Sequence, residues 1–259
     1  MPKPRHLANR TKELEVFLKM VNGNHYCRIM LIEGASGMGK TSLLSRFRQK
    51  CPSTVRYVPF DCKGVSSIPA FLSEVVIDLG QENFPNFLSK VKLFLQGGVD
   101  FSENDIAAEK TISIAINSHV DSATQEYRLE TLQQDFIADL RSLDCQIVIT
   151  LDTYQAANEQ FQKWIESKWL RAVSRHLENV VTLIAGQSVP DSDNSVWGDE
   201  CDHFTLMPIL ELDAWCNFCR NHLDHSLPED AIRALILASK GHPAQIYQSI
   251  SLVQAQWLA

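Results

Sequence analysis

Gly34-Ala35-Ser36-Gly37-Met38-Gly39-Lys40-Thr41 is the stretch on which the reading of this chain turns. It fits G-x-x-x-x-G-K-[ST] at every fixed position. Before it, Arg28-Ile29-Met30-Leu31-Ile32 is a short apolar run, as expected of a buried parallel strand. After it, Leu43, Leu44 and Phe47 keep the spacing of a helix face. Glycines let such a loop wrap an anion with consecutive backbone N–H groups, and the following helix aims its positive end at the same point. Lys40 brings a full charge to the β/γ-phosphates of a nucleoside triphosphate, and the Thr41 hydroxyl can ligate Mg²⁺. The loop, with Ser42 just beyond it, therefore implies a purine nucleotide, ATP or ADP, held with Mg²⁺.

Working outward, residues 11–21 read as a helix on Leu14, Phe17 and Leu18, stopped by Asn22-Gly23-Asn24. Residues 55–60 read as a strand, and 68–79 and 87–95 as helices. Gly97-Gly98 breaks the pattern. Ile112, Ile114 and Ile116 alternate with small or polar residues, which predicts a strand in a hairpin insert. Leu129, Leu132, Phe136, Leu140 and Leu143 step by three and four, an amphipathic helix. It leads into the apolar run 146–152. A helix over 161–177 and strands at 180–185 and 204–209 follow. Strands alternating with helices predict a parallel sheet covered on both faces.

Beyond residue 210 the texture is helical only. One helix covers 212–222. Ser226-Leu227-Pro228-Glu229 has capping-box spacing and opens a second. Pro243 stands in the first turn of a third, where its missing N–H is no loss. Ile246, Ile250, Val253 and Trp257 share one face of that helix, which reaches the last residue without a C-cap. The expected fold is an α/β P-loop NTPase core (1–210), a parallel sheet flanked by helices, with a small C-terminal all-helical lid (211–259). The uncapped end suggests one module of something larger.

Asp152 ends its apolar run with a carboxylate, which can hold Mg²⁺ beside the loop from a neighbouring strand. Hydrolysis also needs a group that orients or deprotonates water. Thr153, Tyr154 and Gln155 follow Asp152; Gln155 can orient a water but is no base, and Glu159 stands a helical turn further on. Gln155 and Asp152 are the candidate catalytic residues, and the pattern favours binding over rapid turnover.

Bulk composition narrows the class. Apolar residues make up 45% of 259, enough to bury a sizeable core. The formal net charge is −7, from 24 Lys+Arg against 31 Asp+Glu, which weighs against a broad nucleic-acid footprint. The N-terminus is basic but lacks a signal peptide's apolar stretch. No run approaches the roughly 18–20 apolar residues of a membrane span. Seven scattered cysteines suggest buried free thiols in a reducing compartment. A cytoplasmic protein with no membrane partner is expected.

With these motifs placed, the chain resembles the STAND class of P-loop ATPases, relatives of the AAA+ proteins that include NACHT and NB-ARC modules. Leu7-Ala8-Asn9-Arg10 with Glu13-Leu14 resembles the motif F-x-G-R-x-x-E-L, which implies that Arg10 lies near the adenine; Asn9 replaces the glycine. Residues 151–155 resemble h-D-T-[YF]-E, with Gln155 in place of the catalytic glutamate. Ala185-Gly186-Gln187 resembles the A-G-R that ends the sensor-1 strand, again with an amide substituted. Gly241-His242-Pro243 matches the lid's G-x-P, which implies that His242 and Pro243 face the nucleotide. The resemblance implies a regulatory switch: nucleotide state controls self-assembly into a homo-oligomer or the exposure of attached effector or sensor domains. The alternative is an AAA+ ATPase acting on nucleic acid, such as a loader or transposition regulator. A third reading is an adaptor that binds nucleotide without turning it over.

Two features invite other readings. Cys216, Cys219, His222 and His225 step by three along one helix. At about 1.5 Å per residue they spread over roughly 13 Å, too far for one tetrahedral zinc. Trp197 sits in a polar loop, where it could face a partner, while Trp164, Trp169, Trp215 and Trp257 read as packing.

Overall fold

A computed structural model describes residues 7–95, 106–222 and 227–257, apart from positions 65 and 119. Helix α1 (Thr11–Val21) precedes strand β1 (Ile29–Glu33) and helix α2 (Lys40–Lys50). Strand β2 (Arg56–Asp61) is followed by helices α3 (Ile68–Leu79), α4 (Pro85–Leu95), α5 (Glu109–Asn117) and α6 (Ser122–Arg141). Strand β3 (Ile147–Asp152) leads to α7 (Glu159–Trp164), a π-helical turn (Ile165–Trp169) and α8 (Leu170–His176). Strands β4 (Val180–Gly186) and β5 (Cys201–Thr205) complete the sheet. Helices α9 (Leu212–His222), α10 (Glu229–Ala238) and α11 (Pro243–Trp257) close the described chain.

All strand pairs are parallel, in the order β2-β3-β4-β1-β5. Alternate strand residues point to opposite faces. Ile29, Leu31, Ile147, Ile149 and Leu151 enter an apolar cluster with residues of α3 to α8. Met30, Ile32, Val148, Val181 and Leu183 enter a second cluster with α1 and α2. Burial on both faces explains why β1, β3 and β4 read as continuous apolar runs rather than alternating ones. A third cluster, Ile209, Trp215, Phe218, Cys219, Leu227, Ile232, Ile236, Ile246 and Ile250, belongs to the C-terminal helices. Among the described residues no helix is long and apolar enough to cross a membrane.

Some buried polar groups are fully employed. Asp139 of α6 is 2% exposed, yet its carboxylate accepts from Phe87 N–H at 2.8 Å and Asn86 Nδ2 at 2.6 Å, fixing the first turn of α4. Trp169 Nε1 donates to Thr182 Oγ1 at 3.2 Å across the helix–sheet boundary. The π-turn brings Trp164 and Trp169 onto the same side, with ring centroids 6.3 Å apart. On an ideal α-helix residues five apart would diverge by about 140°.

Several expectations need correction. Residues 109–117 form a helix, not a strand: Ile112, Ala115 and Ile116 are buried at helical spacing, and the isoleucine alternation is a by-product. The last strand spans Cys201–Thr205 rather than 204–209, because the chain leaves the sheet after Thr205 to reach the C-terminal helices. β3 does not neighbour β1; β4 lies between them. Trp197 is 1% exposed and donates Nε1–H to the Glu166 carbonyl at 3.0 Å, so it faces the core. Cys216 and Cys219 pack in the third cluster. Gly97-Gly98, Ser226 and His225 lie outside the described residues, as do the side chains of His222 and Trp257.

Candidate nucleotide-binding site

The 34–41 loop leaves the carboxyl end of β1 at the point where the sheet order reverses, and Lys40 begins α2. Such switch points are where open α/β sheets bind ligands. Gly37 and Gly39 take φ of 79° and 93°, a region costly for side-chain-bearing residues. A Cβ on Gly39 would meet nothing within 4 Å, so backbone shape alone asks for glycine there. A Cβ on Gly37 would run into the His242 ring. Gly34 is confined too: its N–H donates to Gly186 O at 3.2 Å, and a Cβ would lie 3.1 Å from the Leu206 Cβ. Met38 is buried beneath the loop, while Ala35 is exposed and Ser42 stands in the first turn of α2. The first-turn N–H groups of α2 have no helical partner of their own.

Lys40 Nζ donates to the carbonyls of Gly34 at 2.6 Å and Ala35 at 3.0 Å. Partial burial pulls this ammonium below its ordinary range, with Asp152 opposing the shift. Thr41 Oγ1 donates to Asp152 Oδ2 at 2.7 Å, and Asp152 Oδ1 accepts from Thr153 N–H at 2.8 Å. Thr153 takes φ of 58°, a left-handed turn that lets its N–H reach back to that carboxylate. The hydroxyl and carboxylate thus meet across an intervening strand. They are hard oxygen donors of the kind Mg²⁺ takes.

Gln155 lies beside the end of β4. Its Oε1 accepts from Gln187 N–H at 2.8 Å, so the side-chain carbonyl is already engaged. Arg10 Nη2 donates to Met207 O at 2.7 Å and Met38 O at 3.4 Å, tying the N-terminal segment to the loop and to the chain beyond β5. Burial lowers its pKa, opposed by Glu13 and Glu211. The Met207 carbonyl and Gln187 N–H act through backbone, which no side-chain pattern announces.

The C-terminal helices meet this loop directly. His242 Nε2 lies 3.1 Å from Ser36 O, so Nε2 carries the hydrogen and donates. Ala244 N–H donates to Gly37 O at 3.2 Å, just after Pro243 opens α11. His242 Nδ1 is buried and has no hydrogen-bond partner among the described residues. The sequence left one signal for this contact: glycine at 37, where the motif admits any residue. The structure therefore gathers the 34–41 loop, Ser42, Asp152, Arg10, His242 and Pro243, with Gln155 at the flank. A separate cavity of about 640 Å³ between α3, α5, α6 and α7 shares none of these residues.

A profile of the AAA domain family matches residues 23–189. No match was found among curated proteins. Among solved structures the chain is similar to Cdc6p from Pyrobaculum aerophilum, at 16% identity and a TM-score of 0.58, over 99% of this chain and 65% of that one. It is also similar to the ORC1 protein of Aeropyrum pernix, solved in complex with DNA, at 14% identity and a TM-score of 0.50, over 95% of this chain and 60% of that one. The chain spans less than two thirds of either protein. At such identities the likeness is one of fold.

Proposed function

The chain belongs to the AAA domain family of P-loop NTPases, and from that premise we propose that it is an ATP/ADP-binding switch of the STAND kind. The core, 1–210, binds nucleotide and Mg²⁺; the helical lid, 211–259, reads which nucleotide is present. Lys40 and the loop N–H groups hold the phosphates, and Thr41 and Asp152 hold the metal. Mg²⁺ held there would neutralise charge on the phosphates.

The observation that carries this reading is the lid's contact with the loop through His242 and Ala244. A ligand shifts an equilibrium only through contacts that differ between states. Here the segment that would wrap phosphate is also the segment on which the lid rests. The separate apolar cluster of the lid supports its treatment as a second body. Homo-oligomerisation or an attached effector would be the output, in a cytoplasmic setting.

Gln155 is an amide with its oxygen engaged, and Thr153 is no acid, so hydrolysis is slow. Turnover by the wild type should fall well below about 10 per second, the enzyme median. A fast rate would place the catalytic group elsewhere. The switch itself is tested with His242→Ala. One lost hydrogen bond, about 1 kcal/mol, should change ATP affinity roughly fivefold or erase the difference between ATP and ADP. The melting temperature without nucleotide should fall by no more than about 2–4 °C, the cost of that same bond. Affinities within error of wild type for both nucleotides would remove His242 from the mechanism.

A second reading has one observation behind it: a protein of similar fold was solved in complex with DNA. The formal charge of −7 weighs against it. Stimulation of turnover by duplex DNA would favour this reading over the switch.

A further inference from the structure

At the end of the sheet away from the P-loop, three side chains of different chemistry converge. His25 and Cys27 precede β1, and Asp202 is the second residue of the edge strand β5. Each offers a ligand atom, and these atoms lie within 4.8 Å of one another. Cys27 is fully buried, while the side chains of His25 and Asp202 are 16% and 28% exposed. His25 Nε2 stands 3.2 Å from Asp202 Oδ2. Yet that oxygen is buried and has no hydrogen-bond partner among the described residues, so the ring does not aim an N–H at it.

We propose that His25, Cys27 and Asp202 form a zinc site that staples the turn before β1 to the edge strand. Zinc takes nitrogen and oxygen at about 2.0–2.1 Å, and at a tetrahedral angle those atoms sit about 3.3 Å apart. The observed 3.2 Å matches that edge. A sulfur donor selects zinc over magnesium or calcium, which prefer oxygen alone. Glu200 does not join the set, because it accepts from Arg28 and from Ser174. Water completes the coordination.

The proton balance is simple. Binding sends the Cys27 thiol proton to solvent. Cys27 N–H now donates to His25 Nδ1 at 3.0 Å, which keeps the ring hydrogen on Nε2. Ligation through Nε2 puts that hydrogen on Nδ1, which costs the Cys27 N–H its acceptor. One neutral hydrogen bond is small beside a zinc–thiolate site.

The test uses the full chain, freed of metal with a chelator and kept in excess Mg²⁺ so that Thr41 and Asp152 do not report. Co²⁺ is the probe. We expect one equivalent to bind with a thiolate-to-metal charge-transfer band, and Zn²⁺ to displace it. Cys27→Ser should abolish the band, Asp202→Asn should weaken binding at least tenfold, and Cys219→Ser should change neither. Should Cys27→Ser fail to fold, Asp202→Asn, on an edge strand, carries the test. Absence of the band in the wild type would overturn the site, as would an Asp202→Asn protein that binds Co²⁺ like the wild type.

Discussion

Replacing Lys40 with Ala is expected to weaken ATP binding about a hundredfold, near 2.7 kcal/mol. Lys40 holds the loop's own shape through Gly34 O and Ala35 O as well as supplying its charge. The ammonium is partly buried, its pKa already pulled down by desolvation. A phosphate beside it would restore favourable surroundings for that charge, so the loss on truncation exceeds that of an exposed lysine. Calorimetry with ATP and Mg²⁺ on the folded variant measures the change. Affinity equal to the wild type would overturn the phosphate-binding assignment.

The second large effect belongs to Gly241→Val. Gly241 takes φ of 73°. A Cβ there would lie 2.6 Å from Leu210 Cδ2 and 2.8 Å from Ile209 O. The exposed Leu210 side chain can swing aside, but the Ile209 backbone is held on both sides. Ile209 N–H donates to Gly241 O at 2.8 Å, and Ile209 O accepts from Trp215 Nε1 at 3.0 Å. Left-handed strain and a backbone clash together should destabilise the C-terminal helices by roughly 3 kcal/mol. Hydrogen exchange resolved by segment should show faster opening across 209–250, with the β1–β4 strands nearly unaffected. Uniform protection in the variant would mean that 209 and 241 do not clamp the two parts together.

The legible parts of the fold were those encoded locally. The loop at 34–41, the helix around Phe136 and the buried runs of β1, β3 and β4 each carry their signal in neighbouring residues. Strand order is not local. Nothing in the run 147–152 says that β4 will stand between it and β1, yet Asp152 still reaches Thr41. The isoleucines at 112, 114 and 116 satisfy a strand period and a helix face at once, and packing against α3, α4 and α6 settles the matter. Trp197 lies in a polar stretch yet packs into the large apolar cluster, where Glu166, thirty-one residues earlier, offers its N–H a carbonyl. Within the site, side chains named by motif were found together. Their backbone partners, Gln187 N–H, Met207 O and Ser36 O, were not readable because any residue supplies them.

The contact between His242 and Ser36 O has a consequence that runs opposite to the one proposed for nucleotide sensing. Thermodynamic coupling between two sites is symmetric. If a bound triphosphate alters how firmly α11 sits on the loop, then whatever tugs on α11 must alter nucleotide affinity by the same factor. A binding event, or simple mechanical tension at the far end of that helix, would register as a change in nucleotide residence time. The loop would then work as a gauge that can be read from either end, and nucleotide exchange could be driven by something that never comes near a phosphate.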